Sequence, residues 1–261
     1  MDEIIRTLSA PDPSTNYQRI IEKRQSSTGL WFLESDQYRN LKDGQVQAIW
    51  LHGIPGCGKS VLSSTIIDDL HQLCGSGTRS IVLYFYSDFS DPLKRTQDSM
   101  IRSIITQLVR NVSAVPDAVA KLFSSLKSSN RQGSIEEYLT ALLYLVQEFS
   151  RVFLVLDALD ECDRQGTGMK ELRKILTTIT EWNIQTLRLI VTSRRERDIE
   201  SWLDSLVRSP NIISLQGDII DKDIQLYVRE RLSNDEHFEK WKRYPGLRDK
   251  IENALKGAHG M

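Results

Sequence analysis

The sequence predicts an α/β fold: a five-stranded, mostly parallel sheet covered by helices on both faces, followed by a small, truncated helical subdomain. Three observations carry this reading. Five short β-prone runs recur along the chain: VQAIWLH, SIVLYFYSDF, VFLVLD, LRLIVTS and NIISL. Helical-period segments separate them, and several runs are apolar throughout, as strands buried on both faces must be. The first run passes into a glycine-rich loop and then a helix.

Taken in order, APDPSTNY (Ala10 to Tyr17) reads as a linker or turn, with two prolines among small polar residues, and YQRIIEKRQ as a helix. VQAIWLH is the first strand. After the loop, KSVLSSTIIDDLHQL sets Leu62, Ile66, Leu70 and Leu73 at helical spacing. The aromatic run LYFYSDF resembles a base-stacking stripe, but with no basic surplus it reads as buried strand. Three helical patterns follow: SMIRSIITQLVRN, DAVAKLFSSL and SIEEYLTALLYLVQEF. The last opens with Ser134 and Glu137 in capping-box spacing. Strand VFLVLD, helix MKELRKILTTITEW, strand LRLIVTS, helix RDIESWLDSL and strand NIISL complete the alternation. Beyond Gly217 the pattern is all-helical: DKDIQLYVRERL, DEHFEKWKRY and LRDKIENALKG. The expected division is a linker and helical lead-in over 1–44, a core over 45–217 and a helical subdomain over 218–261.

Composition excludes several classes. The 261 residues are 40% hydrophobic and 26% charged, ordinary for a soluble globular chain. A net charge of −1 gives no case for nucleic acid or an anionic membrane as the main partner. No apolar run approaches a membrane span, and MDEIIRTLSA lacks a signal peptide's basic start and apolar core. Cys57, Cys74 and Cys162 are scattered and odd in number, which fits a reduced, cytosolic protein.

The chemistry concentrates in HGIPGCGKSV, His52 to Val61. Gly53, Gly56, Gly58, Lys59 and Ser60 satisfy G-x-x-x-x-G-K-[ST] between a strand and a helix. Glycines let the backbone wrap so that its N–H groups point inward at an anion, and the helix start adds its dipole. The candidate phosphate loop is therefore Gly53, Ile54, Pro55, Gly56, Cys57, Gly58, Lys59, Ser60 and Val61. Lys59 would reach the β- and γ-phosphates, and the Ser60 hydroxyl would sit on Mg²⁺. Cys57 invites a reading as an acidified thiol, although a small side chain suffices there.

A metal partner is expected at the end of a neighbouring buried strand, and Asp157 in RVFLVLDALDEC fits. Asp160 and Glu161 lie on the turn just beyond, where a carboxylate can orient the water attacking a γ-phosphate. Arg194, at the tip of the strand ending in TSRRER, stands where it could sense that phosphate. Arg195 and Arg197 read as a solvated helix start. Trp31 and Phe32 could close a base pocket, but packing is the default. The four histidines have no partner spacing.

In this order, GIPGCGKSVLSSTII, VFLVLDALDEC and LRLIVTSRRERDIE resemble the NACHT domains of multidomain signalling NTPases, in particular the nephrocystin 3-like P-loop domains of filamentous fungi. STGLWFLES and YFYSDFSDPLKRTQDSMIRSIITQL share the likeness, which covers nearly the whole chain. The resemblance implies a cytoplasmic ATP or GTP switch with slow Mg²⁺-dependent hydrolysis, whose nucleotide state controls self-association in non-self recognition and cell death. It implies that Gly53 to Ser60 bind phosphates, Asp157 binds Mg²⁺, Asp160 and Glu161 promote hydrolysis, and Arg194 is the sensor arginine. Members of that family continue into a winged-helix segment and an ankyrin or WD40 repeat sensor, usually behind an effector domain. This sequence ends at KGAHGM. Without the winged-helix clamp, weak binding and rapid exchange are expected, with stickiness at Leu247, Ile251 and Leu255.

Two further classes compete with the switch: a dedicated P-loop kinase, and a non-enzymatic scaffold with a vestigial site. A GTPase is disfavoured because no [NT]-K-x-D guanine motif is present. Intact Lys59, Ser60, Asp157 and Asp160 argue against the scaffold.

Overall fold

The computed structural model describes residues 1–234 apart from 26, 27, 76, 77, 165 and 217, together with 246 and 250. Four short helices lead in: α1 (Asp2–Leu8), α2 (Ser14–Ile21), α3 (Leu30–Leu33) and α4 (Asp36–Lys42). Then come β1 (Ala48–His52), α5 (Lys59–Leu73), β2 (Ser80–Tyr86), α6 (Gln97–Asn111), α7 (Asp117–Ser128) and α8 (Ile135–Val146). The chain continues through β3 (Arg151–Asp157), α9 (Gly168–Glu181), β4 (Leu187–Ser193), α10 (Arg197–Leu206), β5 (Ile212–Ser214) and α11 (Asp218–Asn234).

The sheet runs in the order β2-β3-β4-β1-β5, and every pairing is parallel. Its strands read as continuous apolar runs because helices cover both faces. Successive side chains point to opposite faces, and the core divides accordingly. Trp50, Leu83, Phe85, Leu154, Leu156 and Val191 pack with α6, α8 and α9 on one side. Ile49, Leu51, Val82, Phe153, Val155 and Ile190 pack with α5 on the other. Helix α5 presents Leu62, Ile66, Ile67 and Leu70 to that second layer. Burying each such side chain fully contributes roughly 1.5–3 kcal/mol.

Several helix starts follow the residue chemistry. Ser134 and Glu137 form the expected capping box on α8, and Thr96 caps α6 through the Ser99 N–H. LYFYSDF is buried strand only through Tyr86; Asp88 and Phe89 lie in the loop beyond.

Two expectations need correction. Ala10 to Tyr17 is not linker throughout, because α2 begins at Ser14 with the Asp12 carboxylate accepting from the Ser14 N–H at 2.9 Å. That aspartate satisfies a first-turn donor and so starts the helix earlier than the prolines suggested. The aspartate-bearing strand is also not next to the loop-bearing one: β4 lies between β1 and β3. Gly217, Leu247, Ile251, Leu255 and, apart from 246 and 250, every residue of the expected helical runs from Asp235 onward lie outside the described residues.

Candidate functional site

From His52 the chain turns through residues 53–58 into α5. Gly56 and Gly58 take φ of 78° and 91°, a region that costs L side chains dearly. A Cβ on Gly53 would stand 2.5 Å from Cys57 Sγ and 3.1 Å from the Leu215 carbonyl oxygen, so only glycine fits where the loop closes on itself. Helix α5 starts with no side-chain cap, which directs its first-turn N–H groups to whatever occupies the loop. Lys59 Nζ donates to the carbonyls of Gly53 and Ile54, each at 2.9 Å, and lies 4.0 Å from Cys57 Sγ. Pro55 is exposed and Val61 is half-buried at the loop's far side.

Asp157 ends β3 and is 2% exposed. Its Oδ2 accepts from Ser60 Oγ at 2.6 Å. Its Oδ1 accepts from Ser63 Oγ at 2.6 Å and Thr192 Oγ1 at 2.7 Å. Burial pushes the carboxyl upward in pKa, and the three hydroxyls and Lys59 oppose that. Thr192 also accepts from the Ala158 N–H at 2.9 Å, pinning a turn in which Ala158 has φ of 55°. A non-glycine residue in that region is uncommon, and here the hydrogen bond holds it.

Past the turn, both oxygens of Asp160 meet Arg194. Oδ1 accepts from the Arg194 backbone N–H and Oδ2 pairs with Arg194 Nε, each at 2.9 Å. The Asp160 side chain is only 3% exposed, against 45% for Arg194. Arg164 braces the same turn, donating to the Asp160 carbonyl at 3.1 Å and pairing with Glu196 and Asp198. Glu161 faces elsewhere: its Oε2 accepts from the Phe89 N–H at 3.1 Å. Burial, with Asp160, Asp88 and Asp157 adding repulsion, raises its pKa above the ordinary value.

A cavity of about 210 Å³ adjoins the loop. Its wall includes Trp31, Cys57, Val61, Leu62, Leu215 and Ile224. Trp31 packs against the core and also lines this space, whereas Phe32 is wholly core. Asp223 of α11 ties the wall together, accepting from the Gly29 N–H at 2.8 Å and Trp31 Nε1 at 3.2 Å.

The structure thus brings Lys59, Ser60, Asp157, Asp160 and Arg194 to the sheet's C-terminal edge. Glu161, on the turn after β3, sits beside them and faces the β2–α6 loop through its bond from the Phe89 N–H. Burial raises the Cys57 thiol pKa, opposite to an acidified thiol, because the small side chain is enclosed by the loop. Arg195 pairs with Glu200 at the surface and Arg197 is exposed. Sequence reasoning missed Ser63 and Thr192. Ser63's position three residues after Ser60, on the same helix face, was the available signal. It also missed Leu215, which packs against Gly53, and Asp223, which joins the cavity wall, because both arrive only through tertiary packing.

A fully parallel sheet bearing this loop, with its serine bonded to a strand-terminal aspartate, defines a P-loop nucleotide-binding domain of the NTPase class. The Nephrocystin 3, N-terminal family matches residues 27–194, well over half of the chain, and the chain belongs to that family. It is 25% identical over 241 residues to vegetative incompatibility protein HET-E-1 of Podospora anserina, an alignment covering 88% of this chain and 17% of that relative. Among solved structures, Cdc6p of Pyrobaculum aerophilum is 17% identical with a TM-score of 0.47, over 78% of this chain and 50% of that one. Domain III of the Thermotoga maritima replication initiation protein DnaA is 15% identical with a TM-score of 0.47, over 91% and 84%. Among the described residues, no helix is long and apolar enough to cross a membrane.

Proposed function

We propose that this domain binds a nucleoside triphosphate with Mg²⁺, hydrolyses it slowly and serves as a nucleotide-controlled signalling switch. The observation that carries the reading is the 2.6 Å bond between Ser60 and Asp157 beside a glycine loop crossed by Lys59. The donor set suits Mg²⁺, which keeps waters and takes one or two protein oxygens plus phosphate oxygens. Among the described residues no group of three or more His, Cys, Asp or Glu could hold a metal by itself, consistent with an ion shared with phosphate.

In this reading the loop from Gly53 to Val61 cradles the phosphates with its backbone N–H groups, apart from Pro55, which has none, and Gly53, whose N–H serves the Ser193 carbonyl. Lys59 exchanges its carbonyl partners for phosphate oxygens. Ser60 and Asp157 would hold the ion, whose charge would neutralise that on the phosphoryl oxygens. A carboxylate of the Asp160–Glu161 pair orients water, and Arg194 meets the terminal phosphate. The cavity walled by Trp31, Leu62 and Leu215 takes the base, and the missing guanine motif favours adenine. Kinship with a vegetative incompatibility protein supports the signalling role, with self-association through regions outside this chain. Three free cysteines support a cytosolic setting.

Denaturing the purified protein and identifying the released nucleotide tests the reading. An adenine di- or triphosphate is expected. A folded protein that neither carries nor binds nucleotide with Mg²⁺ would leave only the scaffold.

A further inference from the structure

We propose that Asp160 is the positioning residue of Arg194, aiming its guanidinium at the terminal phosphate, and that Glu161 is the carboxylate left to face the attacking water. The inference rests on the nucleotide reading above and separates two carboxylates which sequence alone treats alike.

The geometry is asymmetric. Asp160 spends both oxygens on one residue, at 2.9 Å to the Arg194 backbone N–H and 2.9 Å to Nε. With its side chain 3% exposed, that carboxylate has little room for a water molecule. Pairing through Nε leaves both Nη groups of Arg194 with no hydrogen bond among the described residues, on a side chain 45% exposed. A guanidinium held at one edge and bare at the other is a pre-aimed fork, and forks of this kind bind phosphate oxygens in pairs.

The aim is set by the neighbouring residue. Ser193, immediately before Arg194, accepts at its carbonyl from the Gly53 N–H at 3.2 Å, so Arg194 leaves β4 beside the first residue of the phosphate loop. Arg164 fixes the Asp160 backbone from the other side at 3.1 Å. Glu161 uses one oxygen on the Phe89 N–H, at 3.1 Å, and has no hydrogen bond to the other among the described residues. The base needs that freedom, and Asp160 lacks it.

The test compares wild type, Asp160→Asn, Arg194→Lys, their double variant and Glu161→Gln. Affinities for ADP and for a non-hydrolysable ATP analogue are measured with Mg²⁺, alongside single-turnover hydrolysis. Asn keeps an acceptor for the backbone N–H but loses the charge on Nε, and Lys cannot hold one edge while presenting another. Each should lower the triphosphate-over-diphosphate preference roughly tenfold or more, with ADP affinity unchanged. The double variant should lose no more than either single one, because the two residues act as a unit. Glu161→Gln should keep the preference and lose hydrolysis. Asp160→Asn with an intact preference and no hydrolysis would make Asp160 the base and overturn the proposal. Loss of ADP binding in Asp160→Asn would also overturn it, showing the carboxylate to be a general support of the loop. Wild type binding neither nucleotide would instead defeat the underlying nucleotide reading, and this proposal with it.

Discussion

Ser60 and Asp157 are joined by a 2.6 Å hydrogen bond although the strands that lead to them are not neighbours in the sheet. The contact spans the width of β4, and a residue of β4 itself, Thr192, holds the same carboxylate. On the proposed reading these two residues would hold the ion, and the bond shows that they already face each other.

Lys59→Ala is expected to abolish tight triphosphate binding, by at least about 100-fold, because charge-assisted contacts to phosphate are the strong ones. Among the described residues Lys59 forms no ion pair and its ammonium serves the Gly53 and Ile54 carbonyls, so the fold should survive its removal. Calorimetric titration alongside a melting curve checks both halves of the claim: affinity lost, fold retained.

Thr192→Val should destabilise the protein by about 1–3 kcal/mol, since it leaves the buried Ala158 N–H unpaired and removes a donor from Asp157. Mg²⁺ dependence of binding should weaken as the carboxylate loses its orientation. Thr192→Ser keeps the hydroxyl and should restore most of both. Denaturant unfolding and Mg²⁺ titration of the pair provide the measurement.

Trp31→Ala should weaken ADP and ATP binding by the same factor, about tenfold, because the ring lines the cavity beside the loop and not the phosphates. An unequal loss for the two nucleotides would place the base elsewhere.

His52 gives a pH signature. Burial pushes its pKa below the ordinary 6.5, with Arg195 adding repulsion. Between that lowered value and 6.5 the folded protein binds fewer protons than the unfolded chain, so stability rises with pH. The contribution is complete above about 6.5 and is lost as pH falls through the folded value. His52→Gln should therefore flatten the decline in melting temperature between about pH 7 and pH 5 relative to wild type.

Much of the fold was legible because its strands and helices differ in period: apolar runs such as VFLVLD buried on both faces, against Leu62, Ile66 and Leu70 spaced along α5. Strand order was not, since nothing local to AIWLH says that its partners are LRLIVTS and IIS. The loop motif was readable residue by residue because backbone geometry demands glycine at particular points. Asp160 and Glu161, adjacent in sequence, were indistinguishable until tertiary contacts set one against Arg194 and the other against the Phe89 N–H. Thr192 was hidden for the same reason: its hydroxyl matters only once β4 lies beside β3.

The strand order also sets a timetable for synthesis. AIWLH leaves the ribosome long before either of its partners, because β4 and β5 are translated only after α9. Meanwhile β2 and β3 can already pair with each other, while the nascent β1 carries two open edges and an apolar face on each side. That interval is when a chaperone has the most to cover. Gly53 cannot meet the Ser193 carbonyl until β4 has emerged, so the loop is finished late. A ligand that needs the finished loop cannot rescue an early misstep; it can only hold the product once the last strands have docked.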